Sequence, residues 1–212
     1  MSYNENNRIC LVLTCDRPYY EARRQASANT YRLLKENGFT IVFLYANPSL
    51  NYTVFDLKNG AYSLNVPMKE TYQNIPAKIL EALKFLSRYN IRGILKIDDD
   101  TSIVDPAIFN TNFTDADYAG ASVGSAFPGV RMLGERPVVI EKQFMYFGGP
   151  FYWLSAKAMR HIAKAGFKYP WEDASIGHAI AENLDQFTVR FLPFNDNKQV
   201  VWSNHTEFSE MP

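Results

Sequence analysis

The run Ile94-Leu95-Lys96-Ile97-Asp98-Asp99-Asp100 constrains the fold more than any other stretch. Its first part is apolar and branched, follows the turn-like Tyr89-Asn90-Ile91-Arg92-Gly93, and reads as a buried strand. Its last part is three adjacent carboxylates, which repel one another and are poor strand material. Burying them unpaired would be costly. Both parts are satisfied if the strand lies in the middle of an open sheet and delivers the acids at its carboxyl end, where ligands of such sheets collect. There the carboxylates are hard oxygen donors suited to Mg²⁺ or Mn²⁺. The competing reading of Asp-Asp-Asp alone is a solvated acidic turn.

The chain before this run supports a parallel sheet. Arg8-Ile9-Cys10-Leu11-Val12-Leu13-Thr14 reads as a buried first strand ending at Thr14-Cys15-Asp16-Arg17-Pro18. Pro18 suits the first turn of a helix, with Asp16 or Arg17 near the cap. One helix is expected over Tyr20 to Asn37, burying Ala22, Ala26, Tyr31, Leu33 and Leu34 and closed by Asn37-Gly38. Phe39 to Tyr45 reads as a second buried strand. The β-α-β order implies a right-handed parallel crossover. No G-x-G-x-x-G fingerprint accompanies it, which argues against a dinucleotide site. Thr14, Asp16 and Arg17 remain candidates to hold a base or ribose, beside ordinary loop chemistry.

Residues 46 to 70 are turn-rich, with a short strand at Tyr62 to Val66. Thr71 to Tyr89 carries Ile75, Ile79, Leu80, Leu83 and Leu86 at helical spacing. Asp105-Pro106 reads as a cap followed by proline in a first turn. Tyr118 to Val123 is a small-residue strand, and 124 to 142 reads as a loop. Gly148-Gly149-Pro150 leads into the apolar Phe151-Tyr152-Trp153-Leu154, after which Ser155 caps a helix to about Ala165. Trp171-Glu172-Asp173 opens a helix over Ala174 to Asn183, where the dipole favours acids. Phe187 to Leu192 and Val200-Val201-Trp202 are late strands, with His205 beyond the second. A lone His is usually structural or exposed, but it also ligates metals.

With 212 residues, 47% apolar and 21% charged, the chain can bury a real core as one domain. Net charge is zero and no basic run occurs, which argues against a nucleic-acid partner. Nothing approaches the roughly 20 apolar residues of a membrane span. The two cysteines, Cys10 and Cys15, are awkwardly placed for a disulfide if one lies in a strand, and fit a reducing, cytoplasmic setting. The Asn-x-Thr triplets at Asn51, Asn112 and Asn204 are read as chance.

Three segments, in order, resemble the β1,3-galactosyltransferase and Fringe type of glycosyltransferase. Glu70-Thr71-Tyr72-Gln73-Asn74-Ile75-Pro76-Ala77-Lys78 is similar to the family's Asp-Ser-Tyr-x-Asn-Leu-x-x-Lys helix start. Leu95 to Asp100 is similar to its Lys-x-Asp-Asp-Asp strand end. Gly148 to Ser155 with Glu172-Asp173-Ala174-Ser175-Ile176-Gly177 is similar to its Gly-Gly-x-Gly-Tyr-x-Leu-Ser and Glu-Asp-Val-x-x-Gly pair. The likeness spans roughly residues 70 to 185. Pro150 stands where the family tends to have glycine, so acceptor preferences are not carried over. The absence of an anchor and disulfides looks more like compact domains of chlorella viruses or bacteria, which implies host cytoplasm if viral, or one module of a longer polypeptide.

This resemblance implies a GT-A, Rossmann-like α/β domain: a mixed, mostly parallel sheet flanked by helices. It also implies an Mn²⁺- or Mg²⁺-dependent, inverting transfer from a UDP-sugar of glucose, galactose or rhamnose type to a glycan hydroxyl. Asp100 is then the metal acid, with His205 a candidate second ligand and Asp98 a weaker one, Asp98 lying toward the ribose and Asp99 facing either way. Lys78, Arg17 or Arg24 would meet the phosphates. Asp173 would be the general base, with Glu172 the runner-up. Gly149, Tyr152, Trp153 and Trp171 would lie against sugar faces or pack in the core. The competing readings are a metal-dependent nucleotide-sugar hydrolase and a non-catalytic binding module.

Overall fold

The computed structural model describes residues 7–58 and 61–192 and the backbone of 200–202. Its elements begin with β1 (Arg8–Leu13), α1 (Pro18–Ala26), α2 (Ala28–Glu36), β2 (Phe39–Ala46), β3 (Val54–Lys58), β4 (Ala61–Val66), α3 (Ile75–Leu86) and β5 (Gly93–Asp98). There follow β6 (Thr101–Ile103), β7 (Tyr118–Gly120), β8 (Val123–Ala126), β9 (Gly129–Leu133), β10 (Arg136–Ile140) and β11 (Phe144–Phe147). The chain continues with β12 (Phe151–Ser155), α4 (Ala156–Ala165), α5 (Glu172–Ala181), β13 (Val189–Phe191) and β14 (Val200–Trp202).

Eight strands form one sheet in the order β13-β7-β12-β5-β1-β2-β4-β3. The centre is parallel: β5, β1, β2 and β4 run the same way. β12 is antiparallel to both of its neighbours, β5 and β7. Alternating side chains feed two cores. On one face Leu11, Leu44, Leu64 and Ile94 pack against Ile79 and Leu83 of α3, Met159 and Ile162 of α4, and Ile176 and Ile180 of α5. On the other, Cys10, Val12, Ile41, Leu95 and Trp153 pack against Tyr31 and Leu34 of α2 and Phe113. Burying strands on both faces is what continuous apolar runs predict for a parallel sheet. Each fully buried Leu or Ile contributes about 1.5–3 kcal/mol. The fold is therefore a mixed α/β architecture with a mostly parallel central sheet flanked by helices, as the sequence leads one to expect.

Several local expectations are corrected. The single helix over Tyr20 to Asn37 is two helices broken at Ser27, whose hydroxyl donates to the Asp99 backbone oxygen at 2.8 Å. Ala22 and Ala26 are exposed, while Tyr20, Thr30, Tyr31 and Leu34 face inward. Two alanines carry too little apolar area to outweigh a tyrosine. The helix expected from Thr71 is a 3₁₀ turn, Tyr72–Asn74, before α3 starts with Pro76 in its first turn. The loop expected over 124 to 142 contains β8, paired with β11, and a β9–β10 hairpin turning at Gly134-Glu135. Gly134 takes a φ of +58°, which glycine adopts without penalty. Strand β3, at the sheet edge, was not expected. Cys10 and Cys15 are free thiols, and no described helix is long and apolar enough to cross a membrane.

One contact fixes the pose of α5. A Cβ on Gly177 would fall 2.4 Å from Tyr146 Cβ and 2.6 Å from the Met145 oxygen of β11. Gly177→Ala must push α5 off β11, and overpacking of this kind typically costs about 1–3 kcal/mol. Thermal melting should show that loss. An unchanged melting point would mean that the helix can slide without penalty.

Candidate functional site

Strand register brings the acids and the loops together. Leu13 pairs with Asp98 across the parallel β1–β5 ladder, so the two carboxyl ends emerge side by side. Just beyond, Asp99 N–H donates to Leu13 O at 3.1 Å and Thr14 Oγ1 donates to Asp99 Oδ2 at 2.6 Å. Because β12 runs the opposite way, its beginning lies at this same edge, with Phe151 opposite Ile97. Gly149 and Pro150 therefore border Asp98. The first turn of α5 adds Glu172 and Asp173. A cavity of about 420 Å³ is the result, lined by Thr14, Arg17, Lys78, Asp98, Asp99, Asp100, Gly149, Trp171, Glu172 and Asp173 among others.

The three strand-end acids have different surroundings. Asp98 Oδ1 accepts from Lys96 Nζ at 2.6 Å. Asp99 is turned inward and 2% exposed; burial pushes its carboxyl up to about 6, against the Thr14 hydrogen bond and Arg23. Asp100 Oδ2 lies 2.6 Å from Arg23 Nη2, and Arg23 Nη1 lies 3.5 Å from Asp99 Oδ1.

Lys96 is the hub between the strand end and α5. It is 1% exposed, bonds Asp98 and the Gly149 carbonyl, and stands 3.5 Å from Glu172 Oε1. Burial alone would lower its pKa, but the charges of Asp98 and Glu172 outweigh burial and raise it above the ordinary lysine value. Burial raises the pKa values of both Glu172 and Asp173 above the carboxylate norm. In Glu172 the Lys96 charge opposes the rise. In Asp173 it is opposed by the N–H groups of Ala174 and Gly149 and by Lys96. Gly149 has no side chain to spare here, since a Cβ would sit 3.0 Å from Glu172 Oε1.

Not every candidate joins the cavity. Tyr152 and Trp153 are fully buried, so the expectation that they stack on a sugar is corrected. Tyr152 packs in the helical face below Lys96, 5.7 Å from ring centroid to Nζ, and Trp153 Nε1 donates to Ala116 O at 3.0 Å in the opposite core. Trp171 does line the cavity. Lys78 is buried and spends its ammonium on Thr14 O at 2.6 Å and on both Glu70 oxygens at 2.8 Å. Arg24 bonds Thr14 Oγ1 and Cys15 O and lies over the Tyr45 ring, bordering with Asp16 a separate recess of about 820 Å³. His205 lies outside the described residues; the last described strand, β14, ends with Trp202 opposite Thr101.

Sequence reasoning missed Lys96 and Arg23. The first had a visible signal, a lysine inside an otherwise buried strand. The second had none beyond the Arg23-Arg24 pair.

Among the described residues no group of three or more His, Cys, Asp or Glu side chains is arranged to hold a metal ion. Asp98 and Asp100 offer two hard carboxylates at the cavity wall. That donor set fits Mg²⁺ or Mn²⁺ bound jointly with substrate phosphates, since such ions use one or two carboxylates plus phosphate oxygens and water.

No family model matches the chain, and no curated protein matches it in sequence. Among solved structures, a Bacillus anthracis protein described as a glucose-1-phosphate thymidylyltransferase, in complex with a sucrose, superposes with a TM-score of 0.52 at 12% identity, over 91% of this chain and 90% of that one. A mutant of Drosophila β-1,4-galactosyltransferase 7, in complex with manganese, UDP-Gal and xylobiose, gives a TM-score of 0.53 at 12% identity, over 93% of this chain and 71% of that one. At such identities the likeness is one of fold, and the chain has the Rossmann-like α/β fold found in nucleotide-sugar transferases.

Proposed function

We propose that this chain is a metal-dependent, inverting glycosyltransferase that moves a sugar from a UDP-sugar donor of glucose, galactose or rhamnose type to a glycan hydroxyl. One observation carries the reading. A single cavity joins the acids at the end of the central strand to a second acid pair on α5. Two acid sets on different elements suit a reaction in which one supports a leaving diphosphate and the other takes the proton of an attacking hydroxyl.

In this reading Asp98 and Asp100 would hold the divalent cation, which when bound would supply Lewis acidity toward the leaving diphosphate. Thr14 and Arg17 border the donor end of the cavity. Asp173 takes the acceptor proton as the hydroxyl attacks the anomeric carbon. Its raised pKa makes it a stronger base than an ordinary aspartate, and the Gly149 and Ala174 N–H groups fix its carboxylate. Glu172 is less suited, because its carboxylate already faces the Lys96 ammonium at 3.5 Å. Trp171 and Gly149 form the wall against which a sugar ring would lie. A single displacement with one base inverts the anomeric centre.

The test is calorimetric titration of UDP-glucose, UDP-galactose and UDP-rhamnose with and without Mn²⁺, on wild type and Asp100→Ala. Mn²⁺-dependent binding of one donor is expected, with affinity falling at least tenfold in the variant. Equal binding with and without the metal would refute metal dependence. Sugar release without an acceptor would favour a hydrolase, and binding without turnover across acceptors a silent module.

A further inference from the structure

Four described cationic side chains border the cavity: Arg17, Arg23, Lys78 and Lys96. Each lysine is 1% exposed and holds a backbone carbonyl as well as a carboxylate, Thr14 O for Lys78 and Gly149 O for Lys96. Moving either would strip the strand ends of their internal partners. Arg17 is exposed at the rim. Arg23 differs from all three. Its ion pairs are with Asp99 and Asp100, the second of them a proposed metal acid, and its side chain is 12% exposed at the cavity wall.

We propose that Arg23 binds the donor diphosphate by trading partners. In the resting protein its guanidinium neutralises Asp100. When a nucleoside diphosphate and a divalent cation enter together, the guanidinium passes to phosphate oxygens and Asp100 passes to the cation. This rests on the glycosyltransferase reading above.

Three physical arguments support the exchange. The Asp100 oxygen that accepts from Arg23 at 2.6 Å cannot also face a dication without bringing two positive groups together. A diphosphate placed between them removes that repulsion. The planar guanidinium fork also matches phosphate oxygens in a bidentate way that lysine does not. Finally, among the described residues no three such side chains are arranged to hold the ion, so phosphate oxygens would supply further ligands. Metal and nucleotide are therefore coupled through one side chain, and the coupling is reciprocal.

The experiment titrates Mn²⁺ alone, UDP alone, and UDP with saturating Mn²⁺ into the full chain by calorimetry, for wild type, Arg23→Gln and Arg23→Lys. Circular dichroism checks folding. In wild type, Mn²⁺ is expected to tighten UDP tenfold or more. Arg23→Gln should weaken UDP in Mn²⁺ at least tenfold while Mn²⁺ alone binds several-fold tighter, because Asp100 is released. Arg23→Lys should fall between. Wild-type affinities in Arg23→Gln would overturn the exchange. So would a parallel loss of Mn²⁺ and UDP, which marks a residue that merely holds the acids in place. Should Arg23→Gln not fold, Arg23→Lys decides alone: weaker UDP with unweakened Mn²⁺ supports the exchange, and wild-type values reject it. If wild type itself binds no UDP in Mn²⁺, the glycosyltransferase reading falls first and the exchange with it.

Discussion

Asp173→Asn is expected to lower sugar transfer by about 10²–10⁴-fold, the usual contribution of a general base, while UDP and Mn²⁺ affinities stay at wild-type values. The substitution is nearly isosteric. Asn keeps an oxygen for the Ala174 N–H, which bonds Asp173 Oδ1 at 2.7 Å, so α5 should begin as before. The ability to accept the acceptor's proton is lost, together with the negative charge that the Gly149 N–H and Lys96 also favour. The pH dependence gives an independent check. Burial raises the Asp173 pKa, so the carboxylate is protonated at a higher pH than an ordinary aspartate. A base works when ionised, so the wild-type rate should rise with pH through that raised value, and the variant's residual rate should lack this limb. Steady-state kinetics across pH would read both effects. Near-wild-type turnover in a folded Asp173→Asn protein would remove Asp173 from the chemistry and point instead to Glu172.

Lys96→Met is expected to be among the most destabilising single substitutions in the site. The ammonium is buried and paired with Asp98, Glu172 and the Gly149 carbonyl. Methionine fills similar space but leaves two partly buried carboxylates facing each other without a cation. Removing one partner of a buried ion pair costs about 3–5 kcal/mol. For a chain of this length that lowers Tm by roughly 6–20 °C. Differential scanning calorimetry without added metal measures it. The double variant Lys96→Met/Glu172→Gln should recover part of the loss, because one stranded charge is gone and the sites are coupled. A Lys96→Met protein melting with wild type would show that the acids tolerate one another unaided.

The parallel core was legible because β1, β2 and β5 are continuous apolar runs with a turn at each end, and such runs have one economical home. The strand-end acids were legible because adjacent carboxylates at the end of an apolar strand repel one another and need a cation or a ligand to hold them there, whereas the α5 acids were legible only through the Glu-Asp motif of the resemblance. What failed to show was orientation. Phe151 to Leu154 are all buried, on alternating faces, so their sequence carries no sign of which ring meets solvent. The sequence accordingly left Tyr152 and Trp153 open between a sugar face and the core, and burial places both in the core. The break at Ser27 depends on a hydrogen bond to Asp99 across 72 residues, which local propensity does not record. The β9–β10 hairpin was hidden because nearly all of it is exposed, with Val130, Met132 and Val139 outward, and periodicity arises only where one face is covered. Arg23 escaped for a similar reason: its pairing with Asp99 and Asp100 depends on where β5 ends.

The antiparallel placement of β12 also governs how the protein comes into being. A ribosome finishes β1 to β5 well before β12, so the parallel half can assemble while one side of β5 still displays unpaired amide and carbonyl groups. An open, apolar strand edge is the part of a nascent chain most prone to pair with a stranger. Closure by β12 ends that exposure and carries Gly149 to Lys96 in the same event. Glu172 and Asp173 are synthesised later still. Covering the open side of β5 and completing the cavity are thus successive steps along the chain, because Glu172 and Asp173 follow β12.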